Sequence, residues 1–308
     1  MVAGPVELAL AGPGGERALR RTFLSHGFAA LPPMRVEKEG PAFEITLPLT
    51  VGGARTARTV RVVAGRPGFA RMHILGPEVG AGERAELHAA VRHVLRLDED
   101  LSGFYALIAD DPDLAWAAEE GAGRMIQSPT VFEEVVKTVC TTNCAWSATE
   151  RMVGALVEHL GERAPNAPDA GVAGRTFPTA SAMSAAGEEF YRDVARAGYR
   201  GIHLLDLARS VTEGERDLEA LDAPAEELSD GVVERRLLSL PGVGPYAAAH
   251  VMMMLGRYSR LILDSWTRPT YAKLSGAGSV EDAEILERFR PYGEYAGLAF
   301  WLYITRRW

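Results

Sequence analysis

Cysteine is scarce in this sequence. Cys140 and Cys144 are the only cysteines among its 308 residues, and they would lie one turn apart if their segment were helical. Two thiols cannot bind an iron–sulfur cluster or a four-cysteine zinc ion, because each of these groups needs four cysteine ligands. We therefore expect both side chains to pack within a helix. The sequence predicts no cofactor, no iron–sulfur cluster and no metal site built from protein side chains.

Long apolar runs are also missing, and so is a basic N-terminal start. No apolar run approaches the length that spans a bilayer, and the opening MVAGPVELAL lacks the positive charge of a signal peptide. These absences predict a cytoplasmic protein without membrane contact. The hydrophobic content of 47% and the charged content of 24% are ordinary for a globular protein, and the length allows two domains.

An excess of positive charge is absent as well. The chain has 33 Lys and Arg residues against 41 Asp and Glu residues, which gives a formal net charge of −8. This balance argues against a protein that coats nucleic acid without specificity. It does not exclude a local patch that grips phosphates, because such contacts depend on local rather than net charge.

The order of secondary-structure patterns predicts an α+β protein. Residues that favour strands alternate or cluster in three early segments, which are Ala42–Val51, Thr59–Ala64 and Phe69–Leu75. Helical spacing of apolar residues returns at Glu83–Leu95 and dominates from Gly121 onward. We therefore expect an antiparallel β-rich N-terminal domain over residues 1–115, followed by an all-helical body over residues 116–308.

A turn rich in glycine and proline interrupts the helical pattern between residues 230 and 273. It reads Leu240-Pro241-Gly242-Val243-Gly244-Pro245-Tyr246. Pro241 disfavours helical geometry at the residue before it, and the two glycines permit backbone conformations that are closed to other residues. Pro245 suits the first turn of a second helix. The pattern predicts two helices joined by a tight hairpin, whose exposed N–H groups suit a phosphate.

The stretch LPGVGPYAA resembles the helix-hairpin-helix of the DNA glycosylase superfamily. In that family a catalytic aspartate follows the hairpin after a short apolar segment, and Leu261-Ile262-Leu263-Asp264 has this order. The hairpin alone is weakly specific, since other DNA-binding proteins carry it, but hairpin, spacing and aspartate together are more specific. Asp264 also fits a helix N-cap, and that role is compatible with catalysis.

The resemblance implies a partner, a fold and a first set of roles. The partner is double-stranded DNA that contains a damaged base, bound by a monomer that is nucleoid-associated if its source is prokaryotic. Gly242, Val243 and Gly244 would hold a phosphate, with a monovalent cation possible at the hairpin. The low cysteine content sets aside the branches that carry a four-cysteine cluster. Asp264 would stabilise the sugar as its bond to the base breaks.

Tyr246 is the residue that most restricts the predicted reaction. Bifunctional members of the family carry a lysine at this position, and its amine forms a Schiff base with the sugar. A phenol cannot react in this way, and no lysine lies between Gly244 and Asp264; the nearest one downstream is Lys273. The resemblance therefore implies a monofunctional enzyme that hydrolyses the N-glycosidic bond and leaves an abasic site.

Alkylpurine glycosylases carry an aromatic residue at the position of Tyr246. The tail from Phe289 to Trp301 resembles the closing helix of the same branch. An alkylated purine such as 3-methyladenine is therefore the first substrate expected. Trp266, Tyr246 and Trp146 are candidates for its pocket, because a cationic base is attracted to an aromatic face.

Two further segments resemble the 8-oxoguanine branch and keep oxidised guanine as an alternative substrate. Asn143, in the run CTTNC, would fill the gap left by the extruded base. Tyr199 and Arg200, in the run GYR, would contact the opposite base. The alternative interpretations are that Asn143 is a polar helix residue, Tyr199 a core aromatic and Arg200 a solvated charge. A non-catalytic protein that recognises DNA lesions is the rival function, and it would have no need of Asp264.

Overall fold

A computed structural model describes residues 4–10, 12–37, 40–51 and 53–307. An antiparallel sheet of five strands in the order β1-β5-β4-β3-β2 forms its N-terminal part, which confirms the predicted β-rich start. The strands are β1 Val6–Ala9, β2 Met34–Glu37, β3 Ala42–Val51, β4 Ala54–Ala64 and β5 Phe69–Ile74. The three segments predicted from the sequence correspond to β3, β4 and β5, and the structure adds β1 and β2.

The sheet buries one face because apolar residues alternate along its strands. Phe43, Ile45 and Leu47 on β3 lie in one core with Val60 and Val62 of the neighbouring β4. Two helices cover this face: α1 Glu16–Phe23, which lies between β1 and β2 in sequence, and α2 Ala81–Val94, which follows β5. Alternation of this kind is what a half-buried antiparallel sheet requires.

The helical body predicted from the sequence is confirmed. The helices are α1 Glu16–Phe23, α2 Ala81–Val94, α3 Ser102–Ile108, α4 Ala115–Glu120, α5 Val131–Thr141, α6 Trp146–Leu160, α7 Ala180–Ala185, α8 Gly187–Glu189, α9 Arg200–Thr212, α10 Asp230–Leu238, α11 Pro245–Met254, α12 Thr267–Ser275, α13 Asp282–Phe289 and α14 Ala296–Thr305. Within the described ranges, no helix has both the length and the apolar composition to cross a membrane.

Two helical cores meet at α11. Residues of α5, α6, α9 and α10 pack around one side of this helix, where it contributes Ala248, Val251 and Met252. Residues of α3, α4 and α12 to α14 pack around the other side, where it contributes Met253 and Met254. A helix that is apolar all round has to be enclosed, and α11 is the central helix of this body.

The connection between the sheet and the helical body belongs mainly to the second core. Leu101 and the α3 residues Phe104 and Ile108 are buried there with residues of α14. The sequence analysis had assigned them to the N-terminal domain. The predicted boundary between residues 115 and 116 stays a prediction, but the packing joins α3 to the C-terminal helices.

A close approach of two backbones positions the segment that leads from α11 to α12. The Gly297 amide, at the start of α14, donates to the Tyr258 carbonyl at 2.6 Å. A Cβ atom on Gly297 would lie 2.1 Å from the Arg260 carbonyl oxygen, far inside van der Waals contact. The absence of a side chain at Gly297 is therefore what lets α14 lie against residues 258–260.

Gly297→Ala should lower the free energy of unfolding by about 1–3 kcal/mol, because the added methyl group has to displace backbone atoms. Chemical denaturation of the variant beside the wild-type protein measures this. Gly82→Ala is the matched control, since a Cβ atom there would meet no heavy atom within 4 Å. Equal stability of the two variants would show that the backbone contact at Gly297 is not as tight as described.

Candidate active site

The predicted hairpin is confirmed and joins α10 to α11. Gly242 adopts a left-handed φ of 78°, and a Cβ atom there would lie 3.2 Å from the Cβ atom of His203. Gly244 is the N-cap of α11 and faces open space. Val243 turns inward: its side chain is buried, and its amide donates to the Leu240 carbonyl at 3.2 Å. The exposed backbone of the turn is thus at Gly244.

A cleft of about 810 Å³ opens beside the hairpin. Six parts of the chain form its wall: the segment around Gly27, the turn between α5 and α6, the residue before α9, the hairpin with the start of α11, the loop before α12, and α14. The predicted site residues in this wall are Asn143, Trp146, Tyr199, Gly242, Gly244, Tyr246, Asp264 and Trp266. The other two predicted residues, Val243 and Arg200, are buried behind it.

Asp264 is held by the backbone at the entrance of α12. Its Oδ1 atom accepts the amides of Trp266 at 2.8 Å and Thr267 at 2.7 Å. The Thr267 hydroxyl in turn accepts the Asp264 amide at 2.8 Å. These are the capping contacts that the sequence allowed for, and they coexist with a half-buried position in the wall of the cleft. The carboxyl group is therefore fixed in orientation before any ligand binds.

Tyr246 lies in the first turn of α11, on the same wall. The Thr141 hydroxyl donates to the Thr138 carbonyl at 2.7 Å, so its oxygen accepts the hydrogen of the Tyr246 hydroxyl, 3.1 Å away. Burial raises the pKa of Tyr246, and the charge of Asp264 raises it further. The phenol therefore keeps its proton, which it donates to Thr141.

His26 and His250 form a buried pair that the sequence analysis did not single out. His26 Nδ1 accepts the Phe28 amide at 3.2 Å, so neutral His26 carries its hydrogen on Nε2 and donates it to His250 Nε2 at 3.0 Å. His250 then carries its own hydrogen on Nδ1, which donates to the Thr138 hydroxyl at 3.0 Å. Burial lowers the pKa of both rings, that of His250 to about 3. Both rings are neutral at physiological pH.

Aromatic rings continue from this pair along the wall. The His26 ring centroid lies 5.0 Å from that of Trp301 and 4.9 Å from that of Phe28. Trp301 in turn lies 5.9 Å from Trp266, and His250 lies 5.9 Å from Tyr246. The Trp301 indole N–H donates to the Ser25 carbonyl at 2.8 Å. The wall therefore presents ring faces and edges, and Asp264 lies among them.

Asn143, Tyr199 and Arg200 form one unit at the rim of the cleft. Asn143 has a left-handed φ of 48°, which asparagine tolerates, and its amide nitrogen donates to the Tyr199 hydroxyl at 3.2 Å. Tyr199 is 52% exposed. Arg200 is buried, donates from Nε to the Thr142 carbonyl at 2.8 Å, and places its guanidinium 4.5 Å from the Tyr199 ring centroid. Arg200 supports the two rim residues from behind.

The residues that sequence reasoning missed come mostly from distant parts of the chain. His250 follows Tyr246 by one helical turn, so helical spacing alone could have placed it on the same wall. His26 is 224 residues away from His250, and no local pattern connects them. Trp301 had been assigned only to the closing helix. Contacts between the sheet domain and α11 bring these side chains into the cleft.

Lysine is rare in the chain, and its positions bear on the chemistry of the cleft. The three lysines are Lys38, Lys137 and Lys273. Lys137 is buried and pairs with Glu133 at 2.5 Å, while Lys273 is exposed in the last turn of α12; neither lies in the cleft wall. Lys38 lies outside the described residues. In the part of the chain that the structure describes, no three His, Cys, Asp or Glu side chains are placed to hold a metal ion.

Comparison with known proteins finds no matching family model. An N-glycosylase/DNA lyase of Saccharomyces cerevisiae is 24% identical over 185 residues, which are 57% of this chain and 49% of that protein. The chain thus matches about half the length of this curated relative.

Solved structures resemble the whole chain. A 3-methyladenine DNA glycosylase of Archaeoglobus fulgidus superposes with a TM-score of 0.72 and 19% identity, over 98% of this chain and 99% of that one. An 8-oxoguanine glycosylase/lyase of Clostridium acetobutylicum, bound to DNA, gives a TM-score of 0.69 and 17% identity, over 99% and 97%. The sheet, the hairpin and the helical body therefore make up the fold of the helix-hairpin-helix DNA glycosylases.

Proposed function

We propose that this protein is a monofunctional DNA glycosylase that releases a damaged base, with alkylated purines as its first substrate class. The observation that carries the proposal is the position of Asp264, whose carboxyl group is fixed in the wall of an aromatic cleft beside the hairpin. A purely structural cap would have no reason to face a cleft of this size. A damaged base inside a duplex is inaccessible, so its nucleotide would rotate out into this cleft.

The hairpin is the proposed grip on the DNA backbone. Gly244 begins α11, and the first amides of a helix have no partner within it. These N–H groups carry the positive end of the helix dipole and suit a phosphate oxygen. Backbone donors of this kind would explain how a chain with net charge −8 binds DNA. The expected cation at the hairpin stays a prediction, and no step of the mechanism depends on it.

Asp264 is the proposed catalytic residue. As the N-glycosidic bond breaks, positive charge develops on the deoxyribose, as it does in glycoside hydrolysis. A carboxylate held close to that sugar stabilises the charge, and it can orient the attacking water. The Trp266 and Thr267 amides both bind Oδ1, so Oδ2 is the oxygen proposed to act.

The hydrogen bonds of the wall favour a base that leaves without an acid. The side-chain hydrogens of Tyr246, Thr141, Trp301 and the two histidines are all donated to protein atoms. An alkylated purine already carries positive charge and departs as a neutral molecule, so it needs no proton from the enzyme. A cationic base is also attracted to aromatic faces.

The proposal of hydrolysis without strand cleavage rests on the absence of an amine in the described cleft wall. Tyr246 occupies the place where the resemblance expects a reactive lysine, and Lys137 and Lys273 lie elsewhere. The yeast relative is named a DNA lyase and the clostridial structure a glycosylase/lyase, so a lyase is the alternative that has to be tested.

Oxidised guanine is the second candidate substrate. The hydrogen bond between Asn143 and Tyr199 at the rim favours it, since Asn143 resembles the gap-filling residue of the 8-oxoguanine branch and Tyr199 resembles its contact to the opposite base. A panel of duplexes that each carry one defined lesion, scored for abasic sites by alkaline cleavage, decides between the two. Binding without base release on any duplex would support the non-catalytic alternative.

Asp264→Asn should reduce base release by about 10²-fold or more, because the charge that stabilises the sugar is removed. An Asn side chain keeps the Oδ1 acceptor, so the capping contacts and the affinity for lesion DNA should change little. Single-turnover base release and duplex affinity are measured for this variant and for Asp110→Asn, which removes an exposed carboxylate outside the cleft wall. An Asp264→Asn protein with most of its wild-type rate would refute the assignment.

Gly244→Ala should weaken binding to damaged and undamaged duplexes alike, because the new methyl group stands where a phosphate approaches. Its stability should stay close to that of the wild-type protein, since a Cβ atom at Gly244 meets nothing within 4 Å. Gly242→Ala is different: its left-handed backbone should cost about 1–2 kcal/mol of stability. Gly278→Ala, in open space away from the cleft, is the control. Loss of affinity for damaged DNA alone would place the hairpin in base recognition.

The wild-type protein should leave strands intact at the abasic sites it makes, and these should break only on added alkali. Borohydride should trap no covalent protein–DNA adduct above background, because no environment turns a phenol into a Schiff-base donor. The same assay on Lys273→Ala tests whether a remote amine contributes. A trapped adduct that disappears in Lys273→Ala would overturn the proposal and favour the 8-oxoguanine branch.

A further inference from the structure

The two histidines of the cleft engage all four of their ring nitrogens within the protein. His26 accepts from the Phe28 amide and donates to His250, and His250 donates onward to Thr138. Each hydrogen bond in this chain determines the direction of the next, so neither ring can reverse alone. The rings lie in the cleft wall and contact the aromatic side chains of Phe28 and Trp301.

A proton added to either ring would break this chain. On His26 it would fall on Nδ1, opposite the Phe28 N–H, and on His250 it would fall on Nε2, opposite the His26 N–H. In each case two N–H groups would face each other in a buried position, with no acceptor between them. Burial also disfavours protonation, because it lowers the pKa of both imidazoles.

We propose that the His26–His250 pair determines the charge specificity of the base pocket. By binding each other, the two rings form a wall that carries no charge and offers no nitrogen to the base. Such a wall does not repel a cationic base, whereas a histidine that is open to the cleft and free to take up a proton would repel that base. This proposal rests on the proposed function and adds two specificity-determining residues to it.

Other ionisable groups near the pair do not supply this selectivity by themselves. Those in the cleft wall are Cys144, Tyr199, Tyr246, Asp264 and Arg268. Arg268 is paired with Asp282 at 2.6 Å, and Tyr246 keeps its proton. On α5, which packs against α11, Glu133 pairs with Lys137 and Glu134 accepts the Ser128 amide. Asp264 attracts a cationic base, and the neutral His26–His250 pair avoids the repulsion that a protonated imidazole would add.

The tautomers are the first test, and they do not depend on enzyme activity. Long-range proton–nitrogen NMR spectra of the labelled wild-type protein should show a hydrogen on His26 Nε2 and on His250 Nδ1. Both rings should stay neutral from pH 8.0 down to pH 5.5, where an exposed histidine is largely protonated. A doubly protonated ring at pH 5.5, or the opposite tautomer in either ring, would overturn the proposal.

The second test measures affinity in the Asp264→Asn background, so that neither base is released. The probes are one duplex with 7-methylguanine, which is cationic below neutral pH because its N1 keeps a proton there, and one with hypoxanthine, which is neutral. With the pair intact, both affinities should change by less than about twofold between pH 6.5 and 5.5. His26→Ala removes both the donor to His250 Nε2 and the side chain that covers it, so the His250 ring is opened to the cleft and can take up a proton as the pH falls.

With His26→Ala added, the affinity for 7-methylguanine should fall about tenfold at pH 5.5, because the new charge on His250 repels the cationic base. The affinity for hypoxanthine should stay within about twofold. Adding His250→Phe as well removes the titrating group and should make the first affinity independent of pH again. His88→Phe, on α2 outside the cleft wall, is the control, and it should behave as the background protein does.

The outcomes separate this proposal from the function on which it rests. If His26→Ala shows no pH dependence, or weakens both duplexes equally, the pair does not determine charge specificity, whatever the wild-type protein excises. If the wild-type protein releases no base from either duplex and binds neither one better than undamaged DNA, the proposed function fails and this proposal fails with it.

Discussion

The burial of α11 on all sides is the constraint on which the rest of the structure depends. Its residues from Ala247 to Met254 are all buried, with one helical core on each side. Only the start of the helix, at Gly244 and Pro245, reaches the surface. The unpaired amides of a helix lie at its first turn, so this packing leaves one exposed donor surface, and the hairpin forms it.

Burial of this helix also decides what the cleft can contain. A polar side chain on α11 has to be satisfied by the protein, because an unpaired buried polar group destabilises the fold. His250 meets this demand through His26 and Thr138, and Tyr246 meets it through Thr141. The same bonds that stabilise the core therefore remove donors from the cleft. The result is a wall whose imidazoles and phenol carry no charge, beside one oriented carboxylate, as the proposed release of a cationic base would require.

Local patterns were sufficient to predict the hairpin, the helix start after Asp264 and the order of sheet before helices. These features depend on neighbouring residues: glycine and proline restrict the backbone where they stand, and an aspartate caps the helix that follows it. The partners of Asp264 across the cleft were not predictable in this way. His26 and Phe28 reach α11 only because the sheet domain packs against the helical body, and such contacts leave no periodic signal in the sequence. Arg200 and Val243 were placed in the site by resemblance, and burial puts both behind its wall.

The fold alone does not decide between base release by hydrolysis and base release with lyase chemistry, because structures named for either activity share it. A 3-methyladenine glycosylase and an 8-oxoguanine glycosylase/lyase superpose on this chain with TM-scores of 0.72 and 0.69, at under 20% identity. What such distant sequences share is the path of the backbone. In this chain, close contacts such as the one at Gly297, where α14 meets the segment that leads to Asp264, determine that path. Side chains in the wall are under weaker restraint and can change the chemistry without changing the path of the chain. An amine at the position of Tyr246 could attack the sugar, whereas a phenol that donates to Thr141 leaves the reaction to water. The proposal of hydrolysis rather than lyase chemistry therefore rests on the residue at position 246, because the surrounding fold is compatible with both reactions.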